Sequence, residues 1–185
     1  MVASKIFGRT IKNISYSVAE GTMLPWSKRP FEVANLLNPA FCSVIIYSAI
    51  ETYYIKKNQG MPYILSFLIL PVVLHKQTRE ALPKRSSASL HPWFQNHGEI
   101  RVGFSRRVQQ LAPYTKESII FGMQTNIIAI NEQGELVPGE VKAGVLNWDS
   151  NTEAFECREK AKLLGSWYSK VLDISTLFIL WGVKP

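Results

Sequence analysis

Three histidines, two cysteines and fourteen acids are the side chains on which this 185-residue chain could build chemistry. His91, His97 and Glu99 lie close enough in sequence to suggest a metal site. Their spacing matches no zinc pattern and no cysteine is near, so they read as polar residues of a surface turn. His75 sits at the end of an apolar helix beside Lys76, where it is expected to satisfy helix-end carbonyls rather than act as a general base. Glu140-Val141-Lys142 has the form of the Glu-x-Lys half of a metal-dependent nuclease site, with Glu on the metal and Lys orienting water. Such a site also needs an acid on a neighbouring strand, and the nearby Glu132 and Glu135 fall on a predicted hairpin turn.

Other catalytic patterns are missing from the sequence. Only Asp149 and Asp173 are Asp, whereas clustered Asp is the usual holder of Mg²⁺ in phosphoryl transfer. No Gly-x-x-x-x-Gly-Lys phosphate loop occurs, and no Gly-x-Ser-x-Gly elbow presents a nucleophile. The expectation is a protein that is not an enzyme and holds no metal or cofactor.

The elements that would position any site follow from composition and pattern. At 46% hydrophobic and 19% charged, the chain can bury a core. Its net charge of +7 favours an acidic partner such as nucleic acid. Two cysteines, one of them (Cys42) inside an apolar stretch, point to buried thiols in a reducing cytoplasm. The apolar stretch Met61 to Leu74 is too short and too proline-rich to cross a bilayer, so no membrane partner is expected.

Residues 1–25 read as a basic N-terminal arm: Lys5, Arg9 and Lys12 face Glu20 alone, and Gly21 to Pro25 breaks any helix. Residues 26–185 read as a single domain, α+β in class and mainly α-helical with a small β-hairpin. Pro30 to Leu37 is a short helix with proline in its first turn. Asn38-Pro39 caps a second helix, Ala40 to Lys57, which stops at Asn58-Gln59-Gly60. Apolar residues surround that helix on nearly every side, which places it at the centre of the fold or against another chain. A further helix is expected to stop or kink at Pro71, a short one is expected around Leu90–Asn96, and Ser150-Asn151-Thr152-Glu153 is a capping box for a long one. Asp173 or Ser175 caps the last.

Over about 99–138, Ile100, Phe104, Val108 and Leu111 recur at helical spacing up to Pro113, and Thr115 is placed to cap a second helix. Asn126 to Ile130, the turn Asn131 to Gly134, and Glu135 to Val137 then form a hairpin. Helix, turn, helix and hairpin is the order of a winged helix. Between Lys76 and Arg107, seven basic residues face Glu80 and Glu99, a net of +5. Lys84, Arg85, Arg101, Arg106, Arg107 and Lys116 are therefore the candidate contacts to DNA phosphates, with an acidic protein partner as the equal alternative. A free-standing winged-helix DNA-binding regulator is the second functional reading.

The segments Trp26 to Phe41, Leu70 to Arg79 and Leu164 to Trp167, with the ending Leu180 to Pro185, form an ordered set. In that order they resemble the small middle-component family of bacterial three-component ABC systems, the Lamassu-type anti-phage defence operons. The resemblance runs from Trp26 onward and leaves out the basic arm. It implies a non-catalytic adaptor between an SMC/Rad50-like ABC ATPase, expected as a dimer, and an effector, expected to be a nuclease, close to double-stranded DNA. It carries no catalytic residues. Arg29, Glu32, Phe41, Lys76, Arg79 and Trp167, with the aromatics Trp26, Phe31 and Trp181, are the positions expected to serve as partner interface.

Overall fold

The computed structural model describes residues 28–83 and 90–183. Eight α-helices and one β-hairpin are formed among them, joined by short 3₁₀ turns. Helix α1 (Phe31–Leu36) leads into α2 (Pro39–Lys57). The Asn38 side chain caps α2 by accepting from the Ala40 N–H at 2.8 Å, with Pro39 in the first turn. Asn58 ends it in the left-handed conformation at φ 54°.

Helix α2 is the centre of the molecule. Cys42 through Ile50 are all buried, because α6 (Phe104–Gln124), α7 (Glu153–Tyr168) and the hairpin pack around it. The segment Phe31–Lys57 is long and apolar enough to span a membrane by length and composition. Its most apolar stretch is 72% buried by the chain's own elements, as in a core helix of a globular fold. At the α2–α7 contact a side chain at Gly165 would place its Cβ 2.2 Å from the Ala49 carbonyl oxygen, so only glycine permits this approach.

Helix α3 (Ile69–Val73) contains Pro71 without breaking there. The break comes at Leu74 and His75, after which α4 (Lys76–Ala81) begins. His75 caps α4 from its N-terminal side: Nδ1 accepts from the Thr78 N–H at 3.3 Å and lies 2.8 Å from Thr78 Oγ1. The expected service to carbonyls is therefore replaced by service to an N–H. Helix α5 (Leu90–Asn96) delivers Trp93 and Phe94 into an aromatic cluster with Phe104, Trp167 and Trp181.

The expected helix-turn-helix is not formed. Helix α6 runs unbroken from Phe104 to Gln124 with Pro113 inside it, and Thr115, expected as a cap, is buried in mid-helix. The cost of an interior proline, about 3 kcal/mol, is outweighed by the burial of Phe104, Val108, Thr115, Ser118 and Ile119 along one face. The hairpin does form: β1 (Ile128–Ile130) pairs antiparallel with β2 (Leu136–Pro138), Ala129 opposite Val137. It is bound to the core through Met61, whose N–H and C=O exchange hydrogen bonds with Leu136, and so is no free wing.

Thr152, two residues later than the expected cap position, opens α7 by accepting from the Phe155 N–H at 3.2 Å. Asp173 caps α8 (Ile174–Leu180) by accepting from the Ser175 and Thr176 N–H groups, which holds its carboxyl below the usual range, the Thr176 hydroxyl being the largest cause.

Candidate interaction surface

The charged residues divide into those consumed by the fold and those left facing water. Arg79 belongs wholly to the first group. Its side chain is 1% exposed and reaches from α4 to α7, bonding Glu153 and donating through Nε to Glu156 at 3.1 Å. Its Nη1 donates to the Val73 carbonyl at 2.8 Å, at the frayed end of α3, where the Cys157 thiol also donates at 3.3 Å. Burial works against the guanidinium charge, but Cys157 and the two carboxylates outweigh it and raise the Arg79 pKa.

Arg29 is similarly engaged. Its two Nη atoms donate to the two carboxylate oxygens of Glu117 at 2.8 Å each, and the guanidinium lies 5.8 Å from the Tyr114 ring. The Glu117 hydrogen bond is the largest cause of its raised pKa. Trp167 and Trp181 are 1% and 0% exposed and fill the aromatic cluster. Phe41 stacks on Trp148 at 5.6 Å between ring centroids.

These placements divide the positions expected at the partner interface. Arg79, Trp167 and Trp181 are interior residues of this conformation, because each satisfies a buried helix contact. Phe31 at 75% exposure, Glu32 and Lys76 remain at the surface, with Lys76 near Glu80 at 3.8 Å. Trp26 lies outside the described residues, as do Lys84 and Arg85. Of the other basic positions, Arg101, Arg106 and Lys116 are exposed, whereas Arg107 is half-buried.

The metal and nuclease alternatives gain no geometry. Among the described residues no three of His, Cys, Asp and Glu are grouped so that they could hold a metal ion. Glu140 and Lys142 are exposed in the loop after β2 rather than on a strand, and Glu135 accepts from Asn131 at 3.1 Å. Cys42 and Cys157 are buried free thiols that burial pushes up to about 12, far from a reactive thiolate.

Clefts are formed among the described residues, and two bear on the surface charges. One, of about 630 Å³, lies between the end of α2 and the hairpin and is lined by uncharged amides (Asn58, Gln59, Asn131, Gln133) with Tyr54 and Glu135. The other lies where α1, α3 and α6 meet. Leu36, Leu37, Pro71, Leu74 and Leu111 line it, with Arg107 and Gln110 from α6. His75 and Tyr114 complete the lining. Burial, then the charges of Arg107 and Arg79, push the His75 pKa down to about 4, so the ring is neutral near pH 7. The sequence reading missed this cleft, although Arg107, Gln110, Leu111 and Tyr114 at spacings of three, four and seven signal one helical face.

No curated protein and no solved structure matches the chain. A family model does match, over residues 26–185, which begins at Trp26 and leaves the basic arm outside. With 160 of the 185 residues covered, the chain belongs to the ABC-three component (ABC-3C) system Middle Component 3 family.

Proposed function

We propose that the chain is a non-catalytic accessory subunit that links an SMC/Rad50-like ABC ATPase dimer to an effector nuclease in a Lamassu-type anti-phage and anti-plasmid defence complex of the cytoplasm. Membership of a middle-component family carries this reading, since a middle component has partners within a three-component ABC system. The character of the surface supports it: large apolar side chains stand in water on several elements, Phe31 at 75%, Val102 at 77%, Ile55 at 70% and Leu172 at 97%. Such side chains are suited to anchoring protein contacts. Rearrangement of the ATPase on DNA changes which of these faces are covered, and that shift of bound states frees the effector.

DNA lies close to the subunit in this reading, and Arg101, Arg106 and Lys116 are the exposed cations suited to phosphates. The test is co-expression of the full chain with the other two components, followed by size and composition analysis. A stable assembly containing all three is expected; a chain that purifies alone and turns over a substrate would sink the reading. Replacing Arg101, Arg106 and Lys116 with Glu is expected to leave assembly intact and weaken DNA retention by the assembled complex. Collapse of assembly would instead place a protein on those residues.

A further inference from the structure

We infer that the cleft between α1, α3 and α6 receives an acidic segment of another component, with one carboxylate on Arg107 and one apolar side chain against the leucine lining. The inference rests on the adaptor reading above and names the chemistry of one of its contacts.

Arg107 carries the argument. Its Nη1 donates to the Val102 carbonyl at 3.2 Å and its Nη2 to the Ile100 carbonyl at 3.3 Å, so the side chain is held in place by the 3₁₀ turn Gly98–Arg101 and the residue after it. Among the described residues its buried Nε has no hydrogen-bond partner. Among them it also forms no ion pair, although Arg29 and Arg79 each meet a carboxylate. Its other contacts, the Thr78 hydroxyl at 3.5 Å and the Phe104 ring at 5.3 Å, are neutral too, and a guanidinium fixed by neutral groups is a preformed receptor for an external carboxylate.

The surroundings define the rest of the occupant. The inner volume of the cleft is about 30 Å³, far below the several hundred of a cofactor pocket, so it suits the tip of a side chain and not a whole cofactor. Beside Arg107 its lining is mostly aliphatic, with Leu111 the half-buried leucine, which suits one apolar side chain better than a sugar–phosphate backbone. The neutral His75 adds no second positive charge. Residues 1–27 of this chain are a poor match, because Lys5, Arg9 and Lys12 against Glu20 carry the same sign as Arg107.

Gln110 makes the test selective. It is exposed, lines the same cleft and makes no hydrogen bond among the described residues, so a charge placed there reads the sign of the occupant without touching the core. The full chain carrying Gln110→Glu, Gln110→Lys or Arg107→Leu is co-expressed with the other two components, and its affinity for each is measured at two salt concentrations. Gln110→Glu is expected to weaken one component's binding about fivefold and Gln110→Lys to tighten it by about the same factor. Arg107→Leu is expected to weaken it about tenfold and to flatten its salt dependence, with melting temperatures of both Gln110 variants unchanged. Equal binding by all variants, with the wild type bound, overturns the acidic segment and leaves the adaptor standing. The reverse order also overturns it, and points to a basic occupant such as residues 1–27. Binding of DNA rather than protein lost in Arg107→Leu would replace the segment with phosphate. Failure of the wild type to bind either component overturns both readings together.

Discussion

Arg79 and Arg107 both bear on His75 through their charge, yet they meet opposite conditions. Arg79 is enclosed between α4 and α7 with two carboxylates and a helix-end carbonyl. Arg107 lines an aliphatic cleft with only neutral partners among the described residues, the Ile100 and Val102 carbonyls, the Thr78 hydroxyl and the Phe104 ring, and burial lowers its pKa unopposed. The first arrangement neutralises its own charge and holds two helices together. The second leaves a charge to be neutralised from outside. A strongly basic chain therefore need not be basic everywhere in the same sense: some of its cations are cross-links, and others are receptors.

The contrast predicts a ranked set of effects. Arg79→Met should cost the most, about 3 kcal/mol of unfolding free energy, since Glu153 and Glu156 lose their shared counter-charge. Chemical denaturation measures it, and adding Glu153→Gln and Glu156→Gln should restore at least half. No recovery would mean that the pair is a bystander to packing. Next is acid. Because His75 is held neutral in the fold, its contribution is complete above its unfolded pKa of about 6.5 and is lost as pH falls toward about 4. For a half-buried ring open to solvent the loss is at most about 2 kcal/mol. Comparing melting temperatures of the wild type and His75→Gln across that window isolates it, the expected result being a gap that closes at low pH. Arg107→Leu should cost least, about 1 kcal/mol for two carbonyl contacts, while doing the greater damage to assembly. If its stability loss equals that of Arg79→Met, the two arginines do the same work and the contrast disappears.

Much of the frame was legible because local backbone chemistry writes it. Asn38-Pro39, Asn58 and Asp173 cap helices where their side chains and dihedrals require. The Asn131–Gly134 turn, with Gly134 at φ 76°, closes the hairpin as expected. Pro113 misled because a local rule was applied against a tertiary signal. Phe104, Val108, Leu111, Thr115, Ile119 and Gly122 keep one helical phase across the proline, and a true turn would have reset it. The interface residues were less legible for a different reason. Whether Arg79 or Trp181 faces water depends on partners some 75 residues away in the chain or on a cluster drawn from four elements. Sequence spacing holds no record of either, and the Arg107 cleft is defined by three elements in the same way.

The bare glycine at 165 has a mechanical consequence. With the α7 backbone seated directly on the Ala49 carbonyl, α2 and α7 meet like a tenon in its mortise. Any side chain added at 165 would have to prise the joint open, so the closeness of this seam depends on a single missing methyl group.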